Sequence, residues 1–140
     1  MTRAALAFGL GILAVAGIAA ARHDENAESV KPVAAYDIVE KLDGKDTTAS
    51  AVEVTIEPGK AGVAHRHPGP GFGYVLEGEY EWAIDDKPAR TLKAGDTFYE
   101  PTGCLHRVSR NAGKTKARVL AVLLVPQDAK ALSVPEKPAK

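Results

Sequence analysis

The sequence predicts an all-β domain, a sandwich or barrel of short antiparallel strands. Two observations carry that prediction. Apolar residues recur with a period of two rather than 3.6, so they line one face of an extended chain and not one face of a helix. Turn-forming residues return at strand-length intervals: Pro58-Gly59, Gly78, Asp86, Ala94-Gly95, Thr102-Gly103 and Asn111-Ala112-Gly113. That spacing is the mark of many short strands folded against one another.

Taken in order, Val52, Val54 and Ile56 alternate with Glu53, Thr55 and Glu57, a half-buried strand stopped by Pro58-Gly59. Phe72 to Leu76 is a short apolar stretch closed by Glu77-Gly78. Tyr80, Trp82 and Ile84 alternate with Glu79, Glu81 and Ala83 before Asp85-Asp86-Lys87-Pro88 turns the chain. Further strands are expected over 89–92, 97–99 and 106–109. Residues 118–125 are apolar nearly throughout, as in a strand covered on both faces. The only helical expectation is a single turn near residues 127–132.

The ends differ in character. Arg3 precedes an apolar run from Ala4 that closes on Ile18-Ala19-Ala20-Ala21, and the charged Arg22-His23-Asp24-Glu25 follows. A basic start, an apolar middle and small residues at the end form a secretory signal, with cleavage expected after Ala21. The opposing expectation, an uncleaved anchor, is weakened by the run's alanine and glycine content, although its length approaches the ~20 residues of a span. Residues 1–21 are therefore expected to leave an exported protein, periplasmic or secreted. Residues 22–31 are polar and read as a flexible arm. The domain is expected over 32–127, and 128–140 form a Lys/Pro-rich tail that docks loosely or frays.

Formal net charge is zero, so the basic footprint of a nucleic-acid binder is missing. No apolar span remains once residues 1–21 are removed. Cys104 is the single cysteine, which excludes an intrachain disulfide. Core burial or a second subunit must then hold so small an exported domain together.

Chemistry concentrates in three of the four histidines. His65 and His67 are two apart, the spacing that puts both imidazoles on one face of a strand, roughly 6.5 Å apart. Two rings so placed converge on one ion at metal–nitrogen distances of about 2.1 Å. His106, in Pro101-Thr102-Gly103-Cys104-Leu105-His106, supplies the third nitrogen if its strand lies beside theirs. His23 falls in the polar arm and has no assigned role.

These residues also resemble a known family. Gly59, five residues, then His65-x-His67, with Gly78 at the end, is similar to the first cupin motif. Gly95, five residues, Pro101-x-Gly103, two residues and His106 is similar to the second, with Asn111 one position later than the usual asparagine. His67-Pro68-Gly69-Pro70 ahead of Tyr74-Val75-Leu76-Glu77-Gly78 is similar to small single-domain bacterial cupins, and the resemblance spans about Val52 to Val125. It implies a double-stranded β-helix, or jelly-roll barrel, with a divalent transition metal held inside by His65, His67 and His106. Fe(II) is favoured, and Mn, Zn, Ni or Cu also suit imidazole donors. A homodimer is implied as well.

One departure stands out. The family's first motif usually supplies a glutamate seven residues before its closing glycine, and here that position is Gly71. Glu77 belongs to the turn. Glu100 and Cys104 are the remaining side chains near the second motif, and Cys104 reads first as a small apolar filler. Three neutral imidazoles leave a dication at a formal +2, a strong Lewis acid that favours an anionic or chelating ligand. Three-histidine iron sites occur in thiol and diketone-cleaving dioxygenases of the cupin superfamily. The resemblance therefore implies a dioxygenase-like oxidoreductase acting on a small polar or anionic molecule. A non-catalytic metal- or small-ligand-binding module is the alternative, and a metal-free structural barrel a third. No residue is singled out as catalytic. Arg66 and Arg107 flank the histidines and should point away. Phe72, Tyr74 and Trp82 read as core or pocket-wall aromatics.

Overall fold

A computed structural model describes residues 28–137. The expected signal peptide, residues 1–21, and the start of the expected arm lie outside the described residues. Ten strands follow in order: β1 Glu28–Leu42, β2 Lys45–Ile56, β3 His65–Arg66, β4 Gly71–Glu77, β5 Glu79–Ile84, β6 Arg90–Lys93, β7 Thr97–Glu100, β8 Leu105–Arg110, β9 Ala117–Pro126 and β10 Val134–Pro135. They form two five-stranded antiparallel sheets, ordered β1-β2-β9-β4-β7 and β10-β3-β8-β5-β6. This is the expected all-β jelly-roll barrel. Among the described residues no helix is long and apolar enough to cross a membrane.

Period two decides which side chains go inside. Val52 and Ile56 of β2, Tyr80, Trp82 and Ile84 of β5, Leu92 of β6 and Val119 of β9 are buried between the sheets. Val54, Phe98 and Cys104 pack against that cluster. Burying one such large apolar side chain is worth roughly 1.5–3 kcal/mol, so this cluster is the chief source of cohesion. Gly78 makes the switch from β4 in one sheet to β5 in the other. Its φ of +75° suits glycine, and a Cβ there would meet the Lys116 carbonyl oxygen at 2.4 Å.

Three expectations need correction, and one is met in part. Phe72 and Tyr74, expected as core or pocket-wall aromatics, are half-exposed and line a second pocket rather than the core. On β4 the inward positions belong to Gly71, Gly73 and Val75, because the Phe98 ring lies over Gly73 and fills the space a side chain would take. Residues 28–31, assigned to the flexible arm, are paired with β2 in a continuous β1. The tail contributes β10, which pairs with β3. Residues 127–132 form turns and no helix.

Candidate metal centre

The site is built where β3 meets β8. His65 is the direct cross-strand partner of His106, so their side chains leave neighbouring strands on the same face. His67 lies just past the end of β3, and the tail brings its partner to it. β10 pairs with β3, and the Leu132 carbonyl then reaches His67 Nδ1 at 2.6 Å. The ligand atoms of His65, His67 and His106 all lie within 4.8 Å of one another. They open into a cavity of about 460 Å³, walled by Val54, Phe98, Val119 and Ala121 and bearing Tyr80 and Ser109.

Hydrogen bonding fixes which nitrogens carry protons. His65 Nδ1 donates to the Val63 carbonyl at 2.8 Å, and His67 Nδ1 donates to that of Leu132. Carbonyls only accept, so in the neutral rings both Nε2 atoms present lone pairs. Those two Nε2 atoms are 3.1 Å apart. For His106 the order runs through a chain of hydroxyls. Ser109 donates to Glu28 Oε2 at 3.2 Å, Tyr80 donates to Ser109 at 3.1 Å, and the Tyr80 oxygen therefore accepts from His106 Nε2 at 3.1 Å. That leaves His106 Nδ1 as a buried lone pair without a hydrogen-bond partner.

Facing lone pairs repel unless a cation lies among them, and second-layer bonds of this kind are how proteins aim imidazole ligands. The donor set fits a transition metal. Electrostatics agree, because ligation needs neutral rings. Burial pushes the His106 pKa down to about 3, with His65 and His67 adding to the effect. Burial likewise lowers that of His67, against the raising effect of the Leu132 hydrogen bond.

Sequence reasoning left four contributors without a role here: Glu28, Tyr80, Ser109 and the Leu132 carbonyl. Glu100 it named without placing. Glu100 is 2% exposed, and its carboxyl is pushed up by burial, against the lowering effects of Trp82 and His65. The alternation of β7 carried a signal, since Phe98 and Glu100 share one face and Phe98 marks it as the inward one. Cys104 packs on the core, and burial pushes its thiol up to about 11, far from the thiolate a metal requires. Arg66 reaches Glu136 and the Gly103 carbonyl, and Arg107 the carbonyls of Asp85 and Lys87. Both point away from the centre, as expected.

A two-sheet barrel with three imidazoles clustered on its interior is the architecture of a cupin with a candidate metal site. Residues 52–123 match the Cupin domain, and the chain belongs to that family. No curated protein matches the sequence. Among solved structures, an oxalate oxidase in complex with the substrate analogue glycolate is 26% identical, with a TM-score of 0.58 over 76% of this chain and 54% of that one. The match thus spans about half the length of the oxalate oxidase. TT1209 from Thermus thermophilus is 24% identical, with a TM-score of 0.55 over 76% of this chain and 90% of that one. KdgF from Halomonas sp. is 24% identical, with a TM-score of 0.52 over 71% and 82%. The last two share the fold.

Proposed function

We propose that the chain is an exported cupin holding one divalent transition metal, Fe(II) in preference to Mn, Zn, Ni or Cu, on His65, His67 and His106. Its reaction is oxidoreductase chemistry of dioxygenase type on a small polar or anionic molecule. The observation that carries this reading is the set of converging lone pairs, fixed by hydrogen bonds on the far side of each ring. The likeness to an oxalate oxidase supports a small carboxylate as the substrate class. A bound metal supplies a Lewis acid that anchors an anionic group and engages oxygen. The chain's own residues do the rest. Val54, Phe98, Val119 and Ala121 give the cavity an apolar wall, while Tyr80 and Ser109 hold His106 in orientation. The reading includes export to the periplasm or medium, for which the run ending at Ala21 is the support. It also includes a homodimer, supported by the exposed Val33, Tyr36 and Val39 of the edge strand β1.

Elemental analysis of protein purified without chelator tests the metal. Wild type is expected to carry close to one transition-metal ion per chain, and a His65→Ala/His67→Ala variant almost none. Equal, low content in both would favour a purely structural barrel. Oxygen uptake by the iron-loaded protein over small carboxylates, thiols, diketones and phenols then tests catalysis. Turnover of none of them, with ligand-dependent stabilisation intact, would favour a non-catalytic binding module.

A further inference from the structure

Glu100 is a buried carboxylate beside the three histidines, and a role for it rests on the metal-binding reading of that centre. The cupin pattern draws a glutamate from the strand where this chain has Gly71. In the antiparallel β4–β7 pair, Gly71 stands directly opposite Glu100. A Cβ built on Gly71 would lie 3.8 Å from Glu100 Oε2. The carboxylate thus stands where a side chain at position 71 would enter.

Its orientation is set. Trp82 Nε1 donates to Oε1 at 2.8 Å, and that oxygen lies 3.0 Å from the unpartnered His106 Nδ1. The other oxygen, Oε2, is 3.4 Å from His67 Nε2. Neither facing nitrogen carries a hydrogen in the tautomers that the surrounding bonds impose, so with Glu100 ionised these contacts are acceptor against acceptor. A cation shared with the carboxylate would relieve both contacts.

We propose that Glu100 is the carboxylate donor of this metal centre, transposed from β4 to the opposing position on β7. Strand pairing explains why the exchange is tolerated. Opposed residues of an antiparallel pair share a face, with Cβ atoms about 5 Å apart, so a glutamate on either strand reaches the same interior point. Transposition also sets the ligand class. Three imidazoles and one carboxylate bring a dication to a formal +1, which one monoanionic group of a small acid neutralises.

The test is Mn(II) binding, read by titration and by the ion's electron paramagnetic resonance spectrum. The proteins are wild type, Glu100→Gln, Gly71→Glu/Glu100→Gln and His65→Ala/His67→Ala, each checked for folding by circular dichroism. Glu100→Gln is expected to bind at least tenfold more weakly, with a changed spectrum. The Gly71→Glu/Glu100→Gln protein is expected to recover most of that loss. Leu123 Cδ2, 2.8 Å from the Cβ of residue 71, is the end of a side chain that can turn aside. Unchanged binding in Glu100→Gln, while His65→Ala/His67→Ala loses the ion, would overturn the proposal and leave the three-histidine centre standing. Loss in Glu100→Gln without recovery in the Gly71→Glu protein would overturn the transposition. Equal, weak binding by wild type and His65→Ala/His67→Ala would remove the centre itself.

Discussion

Asn111 is fully buried in the loop between β8 and β9. Its Nδ2 donates to the carbonyls of Ile56 and Thr115 at 2.9 and 2.8 Å, and its Oδ1 accepts from the Gly113 amide at 2.9 Å. One side chain therefore satisfies three backbone groups and latches that loop to the end of β2. Asn111→Ala leaves those groups unpaired in a dry site, and a loss of about 3 kcal/mol is expected. The urea midpoint checks it; a change under about 0.5 kcal/mol, the range of an ordinary surface substitution, would refute the latch. At this scale the sequence was most readable where spacing carries geometry. His65, His67 and His106 stand in motifs whose turns dictate position, and all three meet. Glu28, Tyr80 and Ser109 were silent because their contact with His106 is a hydrogen-bonded chain between β1, β5 and β8, which no local spacing encodes.

Among the elements, β10 is the smallest and the closest to the chemistry. Val134 and Pro135 are exposed, and the Arg66–Glu136 pair beside them is solvated, so the tail adds little to stability. Its contribution is the Leu132 carbonyl that fixes the tautomer of His67. Truncation after Gln127 is expected to weaken Mn(II) binding by about tenfold, the usual effect of losing such a partner, while the melting temperature moves little. Undiminished affinity in the truncated protein would show that His67 is positioned without the tail. The central strands β5 and β9 were legible because one or both of their faces are buried, which imposes a pattern. β1 was not. It is an edge strand, exposed over most of its length on both faces, so no alternation marks it. Its true signal is the Asp43-Gly44 turn, where φ values of 51° and 74° make the tight hairpin that joins it to β2. β10 was hidden for a related reason, since two exposed residues bury nothing that composition records.

For the whole molecule, the centre ties folding to protons and, if it holds the proposed ion, to metal. His106 is held near a pKa of about 3 against 6.5 when free, so between those values the unfolded chain binds a proton that the folded chain refuses. That contribution is complete above pH 6.5 and is lost as pH falls toward 3. His67 acts in the same direction. Glu100 and Glu28 act oppositely, because burial raises both above 4.5 and costs stability as pH rises from 4.5 through their folded values. These groups pack around one another across β1, β3, β7 and β8, together with Tyr80, whose hydroxyl burial keeps protonated throughout. The metal-free protein should therefore lose stability as pH falls from 6.5 toward 3, with Glu100 and Glu28 offsetting part of that loss above pH 4.5. Glu100→Gln removes part of the opposing effect, and its loss of stability between pH 6.5 and 4.5 should be steeper. On the proposed reading metal changes the balance, because an ion would bind neutral rings and an ionised carboxylate and so compete with protons. At pH 7 an ion at one hundred times its Kd adds about 2.7 kcal/mol. For a domain of this size that is about 10 °C in melting temperature. The gain should shrink steadily as pH falls and vanish in the His65→Ala/His67→Ala protein. Calorimetry with and without Mn(II) from about pH 4 to 8 measures both trends. A metal-induced rise as large in the variant as in wild type would place the ion elsewhere on the molecule, and a rise independent of pH would mean that no buried imidazole binds it.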